Sequence, residues 1–309
     1  MHVKQFLGTV TLFLSSMFCV GQSTAAKPFR EGAIKVDITT PGSLIGGLLQ
    51  QVDPTKGNTQ QQLMELSAGL SEADRKRFQK EAEETGILLL AIVNLPLKSM
   101  IYCKGENSTA KFDALNYHGE NTVDMTKKEG KMYMKASAGT EQVNILYTGE
   151  NLYRMSATVL NNEDYTITRT AETITVAGYP CTKAVYTLKG APAGGPDRAS
   201  MVGVDPKPYQ VEVWTSTLMP GSLNFMHPLY IEENAGIMKL LVQFDRKTPF
   251  KLLYQFSQVE SRAVTTAEMA IQEPGPVYDY EKDMMTIAGK LLKITFGGGM
   301  QSESGEEEN

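Results

Sequence analysis

The chain has 309 residues, of which 41% are hydrophobic and 21% are charged, and it carries a net charge of −5. That length allows one large domain or two small ones. Acidic residues slightly outnumber basic ones, and four glutamates lie within the tail 303–309. This composition excludes a strongly basic surface for binding nucleic acid or an anionic membrane.

The first 26 residues have the order of segments found in a secretory signal peptide. Lys4 supplies a positive charge, an apolar run of 15 residues extends from Phe6 to Val20, and small residues follow up to Ala26. The run is shorter than the roughly 20 residues of a membrane span. We therefore expect residues 1–26 to be cleaved and the mature protein to be periplasmic or associated with the outer envelope, with no transmembrane segment. A lipoprotein acylated at Cys19 is the alternative.

The next segments predict one strand and then a helical region. Residues 33–38 alternate apolar and polar side chains, as a half-buried strand does. The glycine-rich residues 42–47 indicate a loop before a helix. A helical insertion is predicted over 59–95, where leucines recur at i, i+3 and i+7 and Ser71 is a candidate N-cap. The apolar positions of this insertion are Leu63, Leu66, Leu70, Phe78, Ala82 and Leu89.

From residue 99 to 261 the pattern changes to a period of two. Short alternating runs separated by Gly and Asn recur every 8–12 residues, which is typical of an antiparallel meander. Runs of this kind lie at 111–114, 122–125, 131–135, 142–147, 152–155, 165–168, 174–176, 182–188, 209–215, 238–244 and 250–259. Residues 190–208 hold four prolines and four glycines, so we expect a flexible loop there.

The C-terminal part predicts a helix over 277–292, with Met284, Ile287, Leu291 and Ile294 on one face. Three glycines at 297–299 end it, and residues 297–309 are expected to form a disordered acidic tail. No linker divides the chain between these features. We therefore predict a single domain over 27–296.

Two cysteines remain after the leader, Cys103 and Cys181. In an oxidising compartment an even count predicts a disulfide between them. The alternative is two separate buried thiols, each behaving as a small hydrophobic side chain.

The sequence offers no recognisable catalytic or metal-binding motif. His118 lies in an expected turn and His227 in an expected loop, and neither belongs to an HExxH or Cys–His cluster. The GxSxG motif of serine hydrolases is absent. We therefore predict a protein that is not an enzyme, with no catalytic residues, no metal and no cofactor. An extracytoplasmic hydrolase with an unrecognised site is kept as an alternative.

Alternating apolar residues indicate one apolar face of the sheet, and methionines are plentiful on it. Such a flexible lining suits an adaptable cavity for a lipid or acyl chain, although an ordinary core beneath helices has the same composition. The candidate ligand-binding residues are Met132, Met134, Met238, Leu240, Val242, Phe244, Leu252, Tyr254 and Phe256.

The middle third of the chain also resembles a known family. The resemblance rests on Lys-Met-Tyr-Met-Lys at 131–135, Leu-Tyr-Arg-Met at 152–155, Gly-Tyr-Pro-Cys-Thr-Lys-Ala at 178–184 and Val-Glu-Val-Trp-Thr at 211–215. These runs are similar to a family of bacterial envelope domains of unknown function, which resemble the lipoprotein carriers LolA and LolB. The resemblance implies an α+β fold: a curved antiparallel half-barrel with helices packed on the concave face. It transfers no acyl-binding residue to this chain.

Two functions follow as expectations. The first is a non-catalytic envelope protein that binds a lipid, a lipoprotein or another apolar ligand in the half-barrel. The second is a protein-interaction or sensing module of the envelope, with a protein partner and no small-molecule ligand. Neither expectation involves nucleic acid.

Overall fold

The structure is a computed structural model that describes residues 26–85, 94–152, 158–190, 207–244, 246 and 250–296. Outside these ranges lie residues 1–25 of the predicted signal peptide with Cys19, residues 86–93 of the predicted helical insertion, residues 153–155 of the predicted run, most of the predicted flexible loop and the acidic tail. Within them, no helix combines the length and the apolar character needed to cross a membrane.

The predicted strands are confirmed for most of the described chain. In chain order they are β1 (Glu31–Thr39), β2 (Lys98–Lys104), β3 (Asn107–Asp113), β4 (Tyr117–Asp124), β5 (Glu129–Ala136), β6 (Gln142–Thr148), β7 (Thr158–Leu160), β8 (Tyr165–Val176), β9 (Tyr179–Leu188), β10 (Gln210–Ser216), β11 (Leu229–Ile231), β12 (Gly236–Gln243), β13 (Lys251–Ser261) and β14 (Val277–Asp279). The two runs predicted at 165–168 and 174–176 form one strand, β8, whose pairing with β9 is irregular between Arg169 and Thr173.

Twelve of these strands form one sheet in the order β14-β6-β5-β4-β3-β2-β1-β13-β12-β10-β9-β8. All neighbours in it are antiparallel except β14, which runs parallel to β6. The short strands β7 and β11 make a separate parallel pair. With a few helices added, the fold is α+β and is built around one large, mostly antiparallel sheet.

The sheet is strongly curved. Three strands separate β8 from β13 in the sheet order, so a flat sheet would hold them about 19 Å apart at the usual strand spacing. Yet Cα atoms of β8 and β13 come within 8 Å of each other. Strand β13 has one extra residue against β1, at Ser257, and β12 has one against β10, at Met238; both irregularities add to the bending.

The sheet has an apolar face and a polar face. Following the register from β5 to β1, Met132 lies opposite Asn121, which lies opposite Ala110, then Ile101 and Ile34. The same face continues onto β13 and β12 and carries the main hydrophobic core. We call it the apolar face, and the opposite side, with His118, Glu120 and Lys131, the polar face.

Three helices form a second, smaller core at the side of the sheet. They are α1 (Leu44–Leu49), α2 (Thr59–Ala68) and α3 (Glu72–Thr85). The helical insertion is thus confirmed up to Thr85, and Ser71 accepts a hydrogen bond from the amide of Asp74 as expected of an N-cap. The apolar residues of these helices pack on Leu115 and Phe250.

Helix α1 corrects the prediction of a loop over 42–47. The Ser43 hydroxyl caps its N-terminus by accepting a hydrogen bond from the Gly46 amide. The carboxylate of Glu81 on α3 also accepts the Leu44 amide at 2.8 Å. The helix therefore depends on a side chain that lies 37 residues away in sequence, which local patterning does not reveal.

The C-terminal segment wraps around the edge of the sheet. Residues 265–276, which include α4 (Thr266–Met269), cross the polar face from β3 to β6. We call this segment the strap. After it comes β14 at the sheet edge, and helix α5 (Met284–Phe296) then packs on β5 and β6 from the apolar face, where Ile287 and Ile294 are buried.

The predicted helix over 277–292 is therefore wrong in its first part. Residues Val277–Asp279 form β14, and the helix begins only at Met284. The Asp279 carboxylate accepts the amides of Glu281 and Lys282, which stabilises a turn between the strand and the helix. Met284 is half exposed, while Ile287 and Ile294 are buried as expected.

Candidate functional site

The nine residues predicted to line a ligand site share the apolar face. Leu240 lies opposite Tyr254 and Val242 opposite Leu252 on the neighbouring strands β12 and β13. Met132 and Met134 lie on β5, further along the same face. The other members, Met238, Phe244 and Phe256, belong to or pack against the same hydrophobic core.

Seven of these residues are buried by the protein itself, and Met132 and Phe244 are partly buried. Met238, Leu240 and Phe256 have no exposed surface, and Leu252 is 9% exposed. Two clefts of the described chain, one between β6 and α5 and one between α1 and α2, are lined by none of the nine residues. Any ligand on this face must therefore take the place of a covering segment.

Several short segments cover the face, among them the strand pair β7–β11, whose Leu160, Leu229 and Ile231 are buried in the same core. Helix α5 lies over β5 and β6 through Ile287, Leu291 and Ile294. A single 3-10 turn, Gly221–Met226, contacts both β3 and β12 and buries Leu223 completely. None of these covers is an extended second sheet, so each is held by a small number of apolar side chains.

A buried histidine lies beneath the turn Gly221–Met226. The ring of His227 stacks on Phe256 with centroids 5.8 Å apart and meets the edge of Tyr254 at 4.4 Å. Burial lowers the pKa of His227 to about 3, so the ring is neutral at pH 7. Among the described residues neither ring nitrogen, nor the Tyr254 hydroxyl, has a hydrogen-bond partner. The prediction that His227 lies in a loop is correct. No feature of the sequence indicated that the side chain is buried.

The predicted disulfide is wrong in this structure: Cys103 and Cys181 are both free and buried. Their strands, β2 and β9, are separated along the sheet by β1, β13, β12 and β10. Burial raises the pKa of Cys181 to about 11 and raises that of Cys103 as well, so both behave as small apolar side chains.

The polar face holds the second histidine in different surroundings. His118 lies in strand β4 and not in the expected turn. Its Nδ1 is 2.7 Å from the Asp113 carboxylate and its Nε2 is 3.3 Å from that of Glu120. The hydrogen bond with Asp113, aided by Glu120, raises the pKa of His118. Alternation on β3 and β4 puts these three side chains on one face, a signal that the sequence does contain.

The strap covers part of this polar cluster. Glu120 is 4% exposed, and its carboxylate accepts the backbone amide of Gln272 at 2.6 Å. Thr109 donates to the Met269 carbonyl, and Lys131 pairs with Glu273 at 2.8 Å. Asn144 donates to the Pro274 carbonyl at 2.6 Å. These contacts fix the strap across β3 to β6.

The polar cluster does not form a recognisable catalytic centre. His118 is flanked by two carboxylates, and no serine, threonine or cysteine nucleophile is hydrogen-bonded to it in the described residues. In the same part of the chain, no three His, Cys, Asp or Glu side chains converge as metal ligands would. The geometry supports an electrostatic contact that holds β3, β4 and the strap together.

Comparison with known proteins adds little. No family model matches the chain, and no curated protein matches it. Two crystal structures of PNGF-II, in space groups C2 and P21, align with a TM-score of 0.37 and 11% sequence identity. The alignments cover 64% and 65% of this chain and 30% of PNGF-II. This chain thus spans less than a third of that protein, and a likeness this weak carries no argument.

Proposed function

We propose that this protein is an exported, non-catalytic binding protein whose curved sheet is a half-barrel of the kind found in LolA and LolB. Its ligand is a lipid, a lipoprotein acyl chain or another apolar molecule, bound on the apolar face. The observation that carries the proposal is the covering of this face by short segments and not by an extended second sheet. Helix α5 and the turn Gly221–Met226 lie where a β-sandwich would place a whole second sheet.

The cover over β5 supports ligand exchange. Met132 and Met134 lie on the strand beneath α5, and unbranched thioether side chains adapt to irregular apolar shapes. If α5 moves aside, an acyl chain can bury the same apolar surface that the helix buried. The net cost of the exchange is then small, because one apolar cover replaces another.

The buried polar groups on this face also support a ligand. His227 and Tyr254 carry hydrogen-bonding atoms without partners among the described residues, and each such group costs about 1–3 kcal/mol. The hydroxyl or ester carbonyl of a lipid head could satisfy them when the cover opens. The proposed ligand is thus a chain with a small polar end.

The direct test is native mass spectrometry of the protein purified gently from its own envelope, followed by organic extraction and lipid analysis. A stoichiometric acyl-chain ligand on a protein lacking residues 1–26 is the expected result. A protein that carries no lipid and takes up no fluorescent fatty acid from vesicles would overturn the proposal.

A matched pair of variants places the ligand on the face. Met134→Lys puts a charge on the apolar face, while Lys135→Met changes the next residue of β5, which is exposed on the polar face. Lipid uptake should fall for Met134→Lys and remain for Lys135→Met, with thermal melting showing that both fold. Equal uptake by both variants would contradict binding on this face.

An interaction module is the second candidate, and a separate observation favours it. The outward side of α5 exposes large apolar side chains: Met284, Met285, Leu292 and Phe296. Met285 is 85% exposed and Leu292 61%, which is unusual for a surface helix. If Met285→Lys abolishes capture of an envelope protein and leaves the lipid content unchanged, the interaction function is the correct one.

A further inference from the structure

A small cleft lies where the strap turns around the sheet edge, away from the apolar face. It has a volume of about 270 Å³, slightly below the usual range of ligand pockets. The start of β6, the end of the strap, β14 and α5 each contribute side chains to it. The residues that matter are Glu141, Asn144, Pro274, Pro276, Tyr278 and Lys290.

Asn144 provides a buried acceptor in this cleft. The residue is 4% exposed, and its amide nitrogen donates to the Pro274 carbonyl at 2.6 Å. That bond fixes the orientation of the amide, so the oxygen is the atom left over. In the described residues Oδ1 has no hydrogen-bond partner. A buried acceptor of this kind calls for a donor from a bound molecule.

Lys290 provides the donor on the opposite wall. Its ammonium lies 3.5 Å from the Gln142 carbonyl, 4.0 Å from the Glu141 carboxylate and 5.8 Å from the centre of the Tyr278 ring. These contacts are long, so the ammonium can make a further, shorter hydrogen bond. The opposite charges of Lys290 and Glu141 balance within the cleft, which disfavours a ligand with a net charge.

The remaining wall is formed by the apolar rings of two prolines and a tyrosine. Pro274 and Pro276 have no backbone N–H to donate, and Tyr278 presents an aromatic ring beside Lys290. A flat ligand with C–H groups on its face and hydroxyls around its rim matches this wall. Its hydroxyls can donate to Asn144 and Glu141 and accept from Lys290.

We propose that the cleft between β6, β14 and α5 binds a neutral hydroxylated ring, of the pyranose sugar class. The site shares none of the nine residues of the apolar face, but its Lys290 lies on helix α5, the segment that the lipid proposal displaces. Each hydroxyl of such a ring is both donor and acceptor, as this mixed set of groups requires.

The test is saturation-transfer NMR on the full mature chain with a panel of methyl pyranosides: glucoside, galactoside, mannoside and N-acetylglucosaminide. At least one is expected to bind. Lys290→Met should weaken that binding about tenfold or more, the usual effect of losing a charge-assisted hydrogen bond. Lys293→Met is the matched control, because Lys293 lies on the same helix and 3.9 Å from the same Glu141 without lining the cleft.

A second variant protects the test against misfolding. Tyr278→Ala removes only the aromatic wall, and because Tyr278 is only partly buried, this variant should fold with weakened binding. Absence of binding by every pyranoside would overturn the proposal. So would equal weakening by Lys290→Met and Lys293→Met, or binding of glucosamine or glucuronate in preference to the neutral sugars. Pyranoside binding is measured on lipid-free protein, in which α5 stays on the sheet, so the two proposals can fail independently.

Discussion

The two histidines of the described chain lie on opposite faces of one sheet, and their surroundings act on them in opposite directions. His118 on the polar face is a third exposed and hydrogen-bonds to two carboxylates, which raise its pKa. His227 on the apolar face is buried against Tyr254 and Phe256, and its pKa falls to about 3. The difference teaches that each face determines the pKa of the ionisable side chains that it holds. Hydrogen bonds to carboxylates raise the pKa on the polar face, and exclusion of water lowers it on the apolar face.

The contrast in packing predicts the largest effect. Phe256→Ala should destabilise the protein by about 3–5 kcal/mol, because it removes a fully buried ring and leaves a cavity under His227. Lys135→Ala, opposite His118 on the polar face, is the control and should cost less than about 0.5 kcal/mol. Urea unfolding measures both. Similar costs for the two variants would mean that the faces are not packed differently.

The contrast in charge predicts how stability depends on pH. A neutral His227 with a pKa of about 3 in the folded state and about 6.5 unfolded gives full stability above pH 6.5. As pH falls from 6.5 to 4.5 the unfolded state binds the extra proton, so stability should drop by about 1.4 kcal/mol per pH unit.

His227→Phe is the control for that pH dependence. It keeps a ring against Phe256 and removes the titration, so urea unfolding between pH 6.5 and 4.5 should become nearly independent of pH. An unchanged slope in the variant would assign the acid sensitivity to other groups.

The strap contact predicts a smaller effect. Glu120→Gln keeps the shape of the side chain but weakens its hydrogen bond with the Gln272 amide. We therefore expect the free energy of unfolding to fall by about 1–2 kcal/mol. Glu273→Gln is the matched control in the same strap. Its pair with Lys131 is exposed, so its loss should stay below about 1 kcal/mol. Protease cleavage within 265–276 should increase only for Glu120→Gln. Equal cleavage of both variants would mean that the Glu120 hydrogen bond does not hold the strap in place.

The smallest effect is expected at His118. Its raised pKa contributes stability that is fully present below about pH 6.5 and is lost as pH rises through the folded-state pKa. Because a third of the side chain is exposed, the contribution should stay under about 1 kcal/mol. NMR titration of the ring protons measures it: His118 should titrate above pH 6.5 while His227 does not titrate before acid unfolding. Titration of His227 at a higher pH than His118 would contradict the contrast between the two faces.

Local sequence patterns were sufficient for most strands. Alternation at 131–135 and 238–244 correctly predicted β5 and β12, and the i, i+3 spacing of Leu63 and Leu66 predicted α2. They failed where a partner far away in sequence decides the structure. Helix α1 needs Glu81, and Val277–Asp279 is a strand because β6 offers it an edge.

The candidate sites show the same division. Alternation correctly put Leu240, Tyr254 and Phe256 on one face, but only the tertiary structure shows that His227 closes over them. The cleft at Asn144 joins residues 130 or more positions apart, and no periodic pattern marks it.

By itself the sequence determined the secondary structure of most strands, the apolar face and the absence of a familiar catalytic motif, because these depend on near neighbours in the chain. The tertiary structure decided the order of the twelve strands, the separation of Cys103 from Cys181 and the opposite directions in which the pKa values of the two histidines are shifted. Those features depend on which distant segments meet, and the pairing of strands across a curved sheet fixes that.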